Sequence, residues 1–150
     1  MLQLSKKTLY AIESVLDIAY HASGETVQSR EITRRQGIPR RYLEQALQQL
    51  VRHGILVGVR GPRGGYRLAR ERRRITVGDI IRVVHAGEPA EPTANEPASE
   101  LGRKVVRPLW VELQADIMAR LDGVTIDDLC SRAGSAGIAS EGRQHLDFSI

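Results

Sequence analysis

The ten residues Val59 to Leu68, V-R-G-P-R-G-G-Y-R-L, leave the backbone few options. Gly61, Gly64 and Gly65 permit positive φ and Pro62 stiffens the bend, so the segment reads as the tip of a β-hairpin. Short strands flank it, Ile55 to Val59 before and Tyr66 to Ala69 after. Arg60, Arg63 and Arg67 put cationic charge on a backbone thin enough to approach a polyanion closely.

Three helical segments precede the hairpin. Ser5 suits the cap of a helix running to about Ala22, in which Leu9, Ile12, Leu16 and Ala19 recur at helical spacing beside Val15 and Ile18. Ser29 is a second cap candidate, for a short helix Arg30 to Gln36 that ends at Gly37. Pro39 fits the first turn of a third helix reaching about His53 and closed by Gly54. Leu43, Ala46, Leu47 and Leu50 give that helix one buried face, opposite Arg40, Arg41, Glu44, Gln45 and Gln48. A short helix, a glycine turn and a longer polar-faced helix outline a helix-turn-helix, and the hairpin directly after it makes the unit winged. After the hairpin, Thr76 and Asp79 form a capping box over a helix Val77 to His85, with Ile80, Ile81 and Val84 on its buried side.

Charge follows the same division. Between Gln28 and Arg74 thirteen arginines face three glutamates, a net of +10, while the remainder of the chain carries −6. Positive charge confined to one structural unit favours nucleic-acid binding over a merely solvated face.

Residues 86 to 100 change character: Gly87, Pro89, Pro92 and Pro97 alternate with alanine and Glu88, Glu91 and Glu96, which reads as a flexible loop. Beyond it Leu101, Val105, Leu109, Leu113, Ile117 and Leu121 recur every four residues with Val106 and Trp110 alongside, calling for a long helix that begins near Arg107 or kinks at Pro108. Its stripe needs cover, either from helices one and four of the same chain or from the same helix of a second subunit. Leu101, Val105, Leu109, Trp110, Leu113, Ile117 and Leu121 are the expected dimer interface. Thr125 to Leu129 reads as a short helical turn. The expected architecture is mainly α with a small β-hairpin: a winged helix-turn-helix over residues 1–85, the loop 86–100, a dimerisation helix and short turn over 101–130, and a disordered tail over 131–150.

Several segments resemble the Rrf-two family of bacterial winged-helix transcription regulators. They are L-S-K-K-T-L-Y-A at Leu4 to Ala11, Y-L-E-Q at Tyr42 to Gln45, the hairpin through Ala69, I-T-V-G-D-I at Ile75 to Ile80, L-W-V-E-L at Leu109 to Leu113 and V-T-I-D-D-L at Val124 to Leu129. The resemblance implies a homodimeric regulator, a repressor in the simplest case, acting in the cytoplasm on double-stranded DNA with a palindromic operator. It places Arg40, Arg41, Tyr42, Glu44, Gln45 and Gln48 in the major groove, and Arg60, Pro62, Arg63 and Arg67 along the adjacent minor groove. The chemistry suits those roles: arginine pairs with a guanine edge, glutamine with an adenine edge, and glutamate accepts from cytosine N4.

The chain departs from the iron–sulfur members of that family, which hold a cluster with three closely spaced cysteines in the loop before the long helix. That loop has none here, and residues 6 to 8, where some members supply an acidic ligand, are Lys6, Lys7 and Thr8. Cys130 is the only cysteine and reads as a packed small hydrophobe. No cofactor and no metal are expected, since His21, His53, His85 and His145 lie too far apart in sequence to make a site. Similarity to cysteine-free members implies a role in sulfur and cysteine metabolism, with a metabolic enzyme such as cysteine synthase as partner. A small-ligand pocket near Trp110 and a thiol switch at Cys130 are the other two candidate signals.

Other function classes lack support. The glycines of the hairpin are not followed by the Lys-Ser/Thr of a phosphate-binding loop, and no nucleophile–base pair is legible, so an enzyme is not expected. No secretory leader and no apolar run of membrane-spanning length occur. The rival from another class is a winged-helix protein-interaction module without specific DNA binding.

Overall fold

A computed structural model describes residues 5–22, 24–86 and 99–142. Within them the chain forms α1 (Lys6–His21), α2 (Ser29–Gln36), α3 (Arg40–Arg52), β1 (Leu56–Val59), β2 (Gly65–Leu68), a 3₁₀ turn (Arg72–Arg74), α4 (Val77–His85), a π turn (Gly102–Val106) leading into α5 (Arg107–Asp122), and α6 (Ile126–Ser135). Mainly helical, with one two-stranded antiparallel hairpin, this is the winged helix-turn-helix the sequence calls for.

The core lies where α1, α3 and α4 meet, with α2, the hairpin and α6 closing its sides. Ile18, Ile32, Ile38, Leu43, Leu47, Leu50, Ile75, Ile80, Val84 and Ile126 are fully enclosed, and each such side chain contributes roughly 1.5–3 kcal/mol by leaving water. The expected buried faces of α3 and α4 are the observed ones. In α1 the face is turned: Thr8, Ala11, Val15 and Ile18 point inward, Ile12, Leu16 and Ala19 sit at its edges, and Leu9 is exposed. The inward line includes Thr8, Ser14 and Asp17, which apolar periodicity alone does not register. Thr8 and Ser14 are satisfied within α1 and its cap, where Ser14 Oγ donates to the Tyr10 carbonyl at 2.6 Å, and Asp17 by Arg35 and Gln36 of α2.

Helix ends follow their caps. Ser5 Oγ accepts from the Thr8 amide at 3.2 Å, and Thr76 and Asp79 exchange two bonds of 3.0 Å. The cap of α2 is Gln28, one residue earlier than expected, because the Glu31 carboxylate accepts from the Gln28 amide at 2.8 Å and draws Ser29 into the helix. Gly37 then closes α2 in the left-handed conformation, and Pro39 is the cap of α3 rather than part of its first turn.

The long C-terminal helix neither starts late nor breaks at Pro108. Helical backbone runs through Gly102–Val106 as a π turn, in which the Arg107 amide reaches back to the Gly102 carbonyl. The wider turn absorbs the proline, which sits in the first turn of α5 with no amide to offer.

None of the residues of α5 is buried. Packing against α4 leaves Leu101 74 %, Leu109 53 %, Leu113 39 % and Ile117 39 % exposed, so the described residues leave most of the stripe without cover. Leu121 alone of the expected interface residues is half-buried. Near it α5 comes close to α4 over Gly78, where a Cβ would stand 1.9 Å from Asp122 Oδ1, and Arg82 grips the Asp122 carboxylate through two bonds of 2.7 and 2.6 Å.

The expected ending is corrected. Residues 131–142 are not a loose tail: α6 extends to Ser135, and the chain then turns at Gly137 and lies along α1, burying Ser140 and Gly142. Sequence periodicity predicts only the turn to Leu129, because the small and polar residues after it carry little apolar signal. The expected loop falls mostly on residues 87–98, outside the described residues, as do 143–150.

Candidate nucleic-acid interface

The hairpin pairs Leu56 with Leu68, Val57 with Arg67, Gly58 with Tyr66 and Val59 with Gly65. Its tip is the turn Gly61 to Gly64, closed by the Gly64 amide on the Gly61 carbonyl at 2.8 Å, with Pro62 and Arg63 at the corners. Gly61 supplies positive φ as expected, whereas Gly64 does not have positive φ and is needed for space, since a Cβ there would lie 2.3 Å from the Val59 carbonyl oxygen.

Gly65 has a different task. The segment before α2 adds to the sheet at one point, Val27 and Tyr66 exchanging backbone bonds of 2.9 and 2.8 Å, and a Cβ on Gly65 would fall 2.6 Å from the Val27 carbonyl oxygen. Thr26 Oγ1 donates to the Arg63 carbonyl at 2.8 Å, fixing the tip while its side chain points to solvent. Gly65→Ala is expected to cost about 2 kcal/mol, seen as a lowered unfolding midpoint; an unchanged midpoint would mean that the hairpin does not rest on Val27.

On α3, Arg40, Arg41, Tyr42, Glu44, Gln45 and Gln48 are all exposed, opposite the buried leucines. Two are pre-ordered. Arg40 Nε donates to Glu44 Oε1 at 2.9 Å, and the Tyr42 ring packs on Tyr10 of α1 at 6.0 Å between centroids.

Between helix and hairpin runs an open groove of about 940 Å³, lined by Gln28, Ser29, Arg30, Thr33 and Arg40 on one side and by Gly58 to Pro62, Gly64, Gly65 and Tyr66 of the hairpin on the other. Arg40 of α3 and Arg60 and Pro62 of the hairpin thus border one space; Arg41, Tyr42, Glu44, Gln45 and Gln48 lie beyond it along α3, and Arg63 and Arg67 on the exposed side of the hairpin. Sequence reading missed the wall formed by Ser29, Arg30 and Thr33. Arg30 belonged to the basic block, and the first turn of a helix presents amide donors suited to phosphate, but only the fold turns that end toward the hairpin.

The sensor candidates fare differently. Trp110 stands on the open α5 stripe. Cys130 is buried in α6 and its thiol is pushed up by burial, more than Arg72 beside it lowers it, which disfavours the reactive thiolate.

Residues 4–132 match the Rrf2 (Rrf-two) family, described as an iron-dependent transcriptional regulator. The chain is 36 % identical over 129 residues to the HTH-type transcriptional regulator IscR of Aliivibrio salmonicida, covering 85 % of this chain and 77 % of that one. It is 32 % identical to IscR of Vibrio vulnificus over 150 residues, covering 99 % and 88 %. Among solved structures, IscR of T. potens superposes with a TM-score of 0.74 at 34 % identity, covering 93 % of each chain. CymR, the global cysteine regulator of B. subtilis, does so with 0.72 at 30 %, covering 88 % of this chain and 98 % of that one. These relatives are regulators rather than enzymes.

An iron–sulfur centre needs several thiolates, or thiolates with imidazoles, converging on one point. The chain has one cysteine, buried in α6, and among the described residues no three His, Cys, Asp or Glu side chains gather as a metal site. The residues present do not fit the group that the family description implies. By the match over residues 4–132 and its winged helix-turn-helix fold alike, the chain belongs to the Rrf2 family of transcriptional regulators.

Proposed function

We propose that this protein is a homodimeric, sequence-specific DNA-binding repressor that reads a palindromic operator without an iron–sulfur cluster. One observation carries the reading: Arg40, at the start of the exposed polar face of α3, and Arg60 and Pro62 of the hairpin border the same groove, and the rest of that polar face continues beyond it along the helix. Arg41, Tyr42, Glu44, Gln45 and Gln48 would meet base edges, Arg60, Pro62, Arg63 and Arg67 the minor groove and its phosphates, and Ser29, Arg30, Thr33 and Arg40 the phosphodiester backbone between them.

The exposed stripe Leu101, Val105, Leu109, Trp110, Leu113 and Ile117 supports a two-fold dimer, which would present two reading heads to two half-sites. Likeness to a cysteine regulator and the missing thiolates favour a role in sulfur metabolism, with a metabolic enzyme such as cysteine synthase as the signal-bearing partner. Among the described residues no helix is long and apolar enough to cross a membrane, and the proposed DNA ligand supports a location in the bacterial cytoplasm.

Two kinds of variant separate the roles. Arg60→Ala or Arg63→Ala should weaken binding to every duplex and flatten the slope of log affinity against log salt by about one unit each. Arg41→Ala or Gln45→Ala should cost about 1–3 kcal/mol at particular base pairs and relax preference there. Parent-like binding by both kinds would mean that the reading head lies elsewhere, and would favour the protein-interaction alternative.

A further inference from the structure

The segment after α6 is fastened to the first two helices at Ile138, Ser140, Glu141 and Gly142. Tyr20 Oη donates to the Ile138 carbonyl, and Ser140 Oγ donates to the Tyr20 carbonyl at 2.7 Å. The Glu141 amide donates to His21 Nδ1 at 3.1 Å, and Gly142 lies so close under the His21 carbonyl that a Cβ would stand 2.4 Å from its oxygen. Burial and the Arg35 guanidinium hold the His21 imidazole below its usual range, which favours the neutral ring, the form that can accept the Glu141 amide at Nδ1.

The strap ends on the reading head. Glu141 Oε2 accepts from Arg34 at 2.8 Å and from Arg35 at 2.7 Å, both on α2. Arg35 is the hub of that contact: its Nε and Nη2 donate to Asp17 of α1 at 2.9 and 2.8 Å, leaving Nη1 for Glu141. Gln36, next in sequence, also donates to Asp17 at 2.8 Å. One residue later the chain turns at Gly37 into α3. The other end of α2 forms the phosphate-facing wall of the groove.

We propose that Glu141 is a positioning residue for DNA reading: the strap 138–142 holds α2, and through it the turn into α3, at the angle at which the groove accepts a duplex. The proposal rests on the DNA-binding function argued above. It joins α6, which continues from the dimer helix, to the helix-turn-helix by a second route besides the core.

Charge gives the test its direction. Glu141→Gln leaves the backbone bond to His21 in place and removes one negative charge beside Arg34 and Arg35, so electrostatics alone would tighten binding to any duplex. Loss of positioning acts the opposite way on specific binding only. In the full chain, Glu141→Gln should weaken operator binding about ten-fold while binding to random-sequence duplex stays level or strengthens, and Glu141→Asp should recover part of the loss. Tyr20→Phe, which loosens the strap without changing charge, should weaken operator binding in the same sense.

Hydrogen exchange reads the strap without DNA: the α2 amides should lose protection in both variants. Operator affinity equal to or above that of the parent in Glu141→Gln, or unchanged α2 exchange in both variants, overturns the proposal. A parent protein that binds no duplex would instead overturn the DNA-binding reading, and the exchange measurement would still decide whether the strap holds α2.

Discussion

Replacing Leu109 and Leu113 together by aspartate is expected to convert the protein from a dimer to a monomer and to weaken binding to a two-half-site operator by roughly 10²–10⁴-fold, the factor lost when two linked contacts become one. Both side chains are exposed, 53 % and 39 %, on a helix with no buried residue. The substitutions should therefore leave the fold intact: they remove no buried contact within the chain, and carboxylates on a solvated face cost little. Opposed across a two-fold axis, the same carboxylates would be buried as like charges. Sedimentation or light scattering should report twice the chain mass for the parent and the single-chain mass for the variant, with matching circular dichroism. A variant that stays dimeric would place the interface elsewhere, and one that unfolds would show that the stripe is covered within the chain.

Asp17→Ala should be the most destabilising single change among the polar residues. The Asp17 side chain is fully enclosed and that of Arg35 only 8 % exposed, and the pair is held by two charge-assisted bonds with a third from Gln36. Two buried ions repay their desolvation only together, so removing one leaves the other uncompensated at a cost of about 3–5 kcal/mol. Glu141 offsets part of this at Arg35 Nη1. Thermal or urea unfolding should show the loss, and Asp17→Leu combined with Arg35→Met should restore much of it, because no unpaired charge is then buried. Additive losses in the double variant would argue that the two residues stabilise the fold independently, without the coupling that a buried pair requires.

That pair illustrates what the sequence could and could not convey. The helix-turn-helix, the hairpin and the capping box at Thr76 rest on residues a few positions apart, so periodicity and turn chemistry suffice to place them. Asp17 meets Arg35, Arg35 meets Glu141 and Val27 meets Tyr66 only after the chain has folded back, and no local pattern records such meetings. The inward turn of α1 escapes apolar periodicity because its buried line includes three polar residues, Thr8 and Ser14 satisfied by neighbours along the helix and Asp17 by α2. Pro108 marked a break that the π turn at Gly102–Val106 absorbs.

The candidate site was legible to the same degree. Its exposed arginines and glutamines on α3 and the hairpin could be named from spacing, because a helix with one apolar face must present the other. Its third wall could not: Ser29, Arg30 and Thr33 reach the groove only because Gly65 lets the strand lie against Val27.

Selection of bound duplexes from a random pool by the parent protein tests the central claim most directly. The account predicts an enriched inverted repeat, its half-site centres separated by about one helical turn of 10–10.5 base pairs or a multiple of it. A recovered pool with no sequence enriched over the starting one would contradict it.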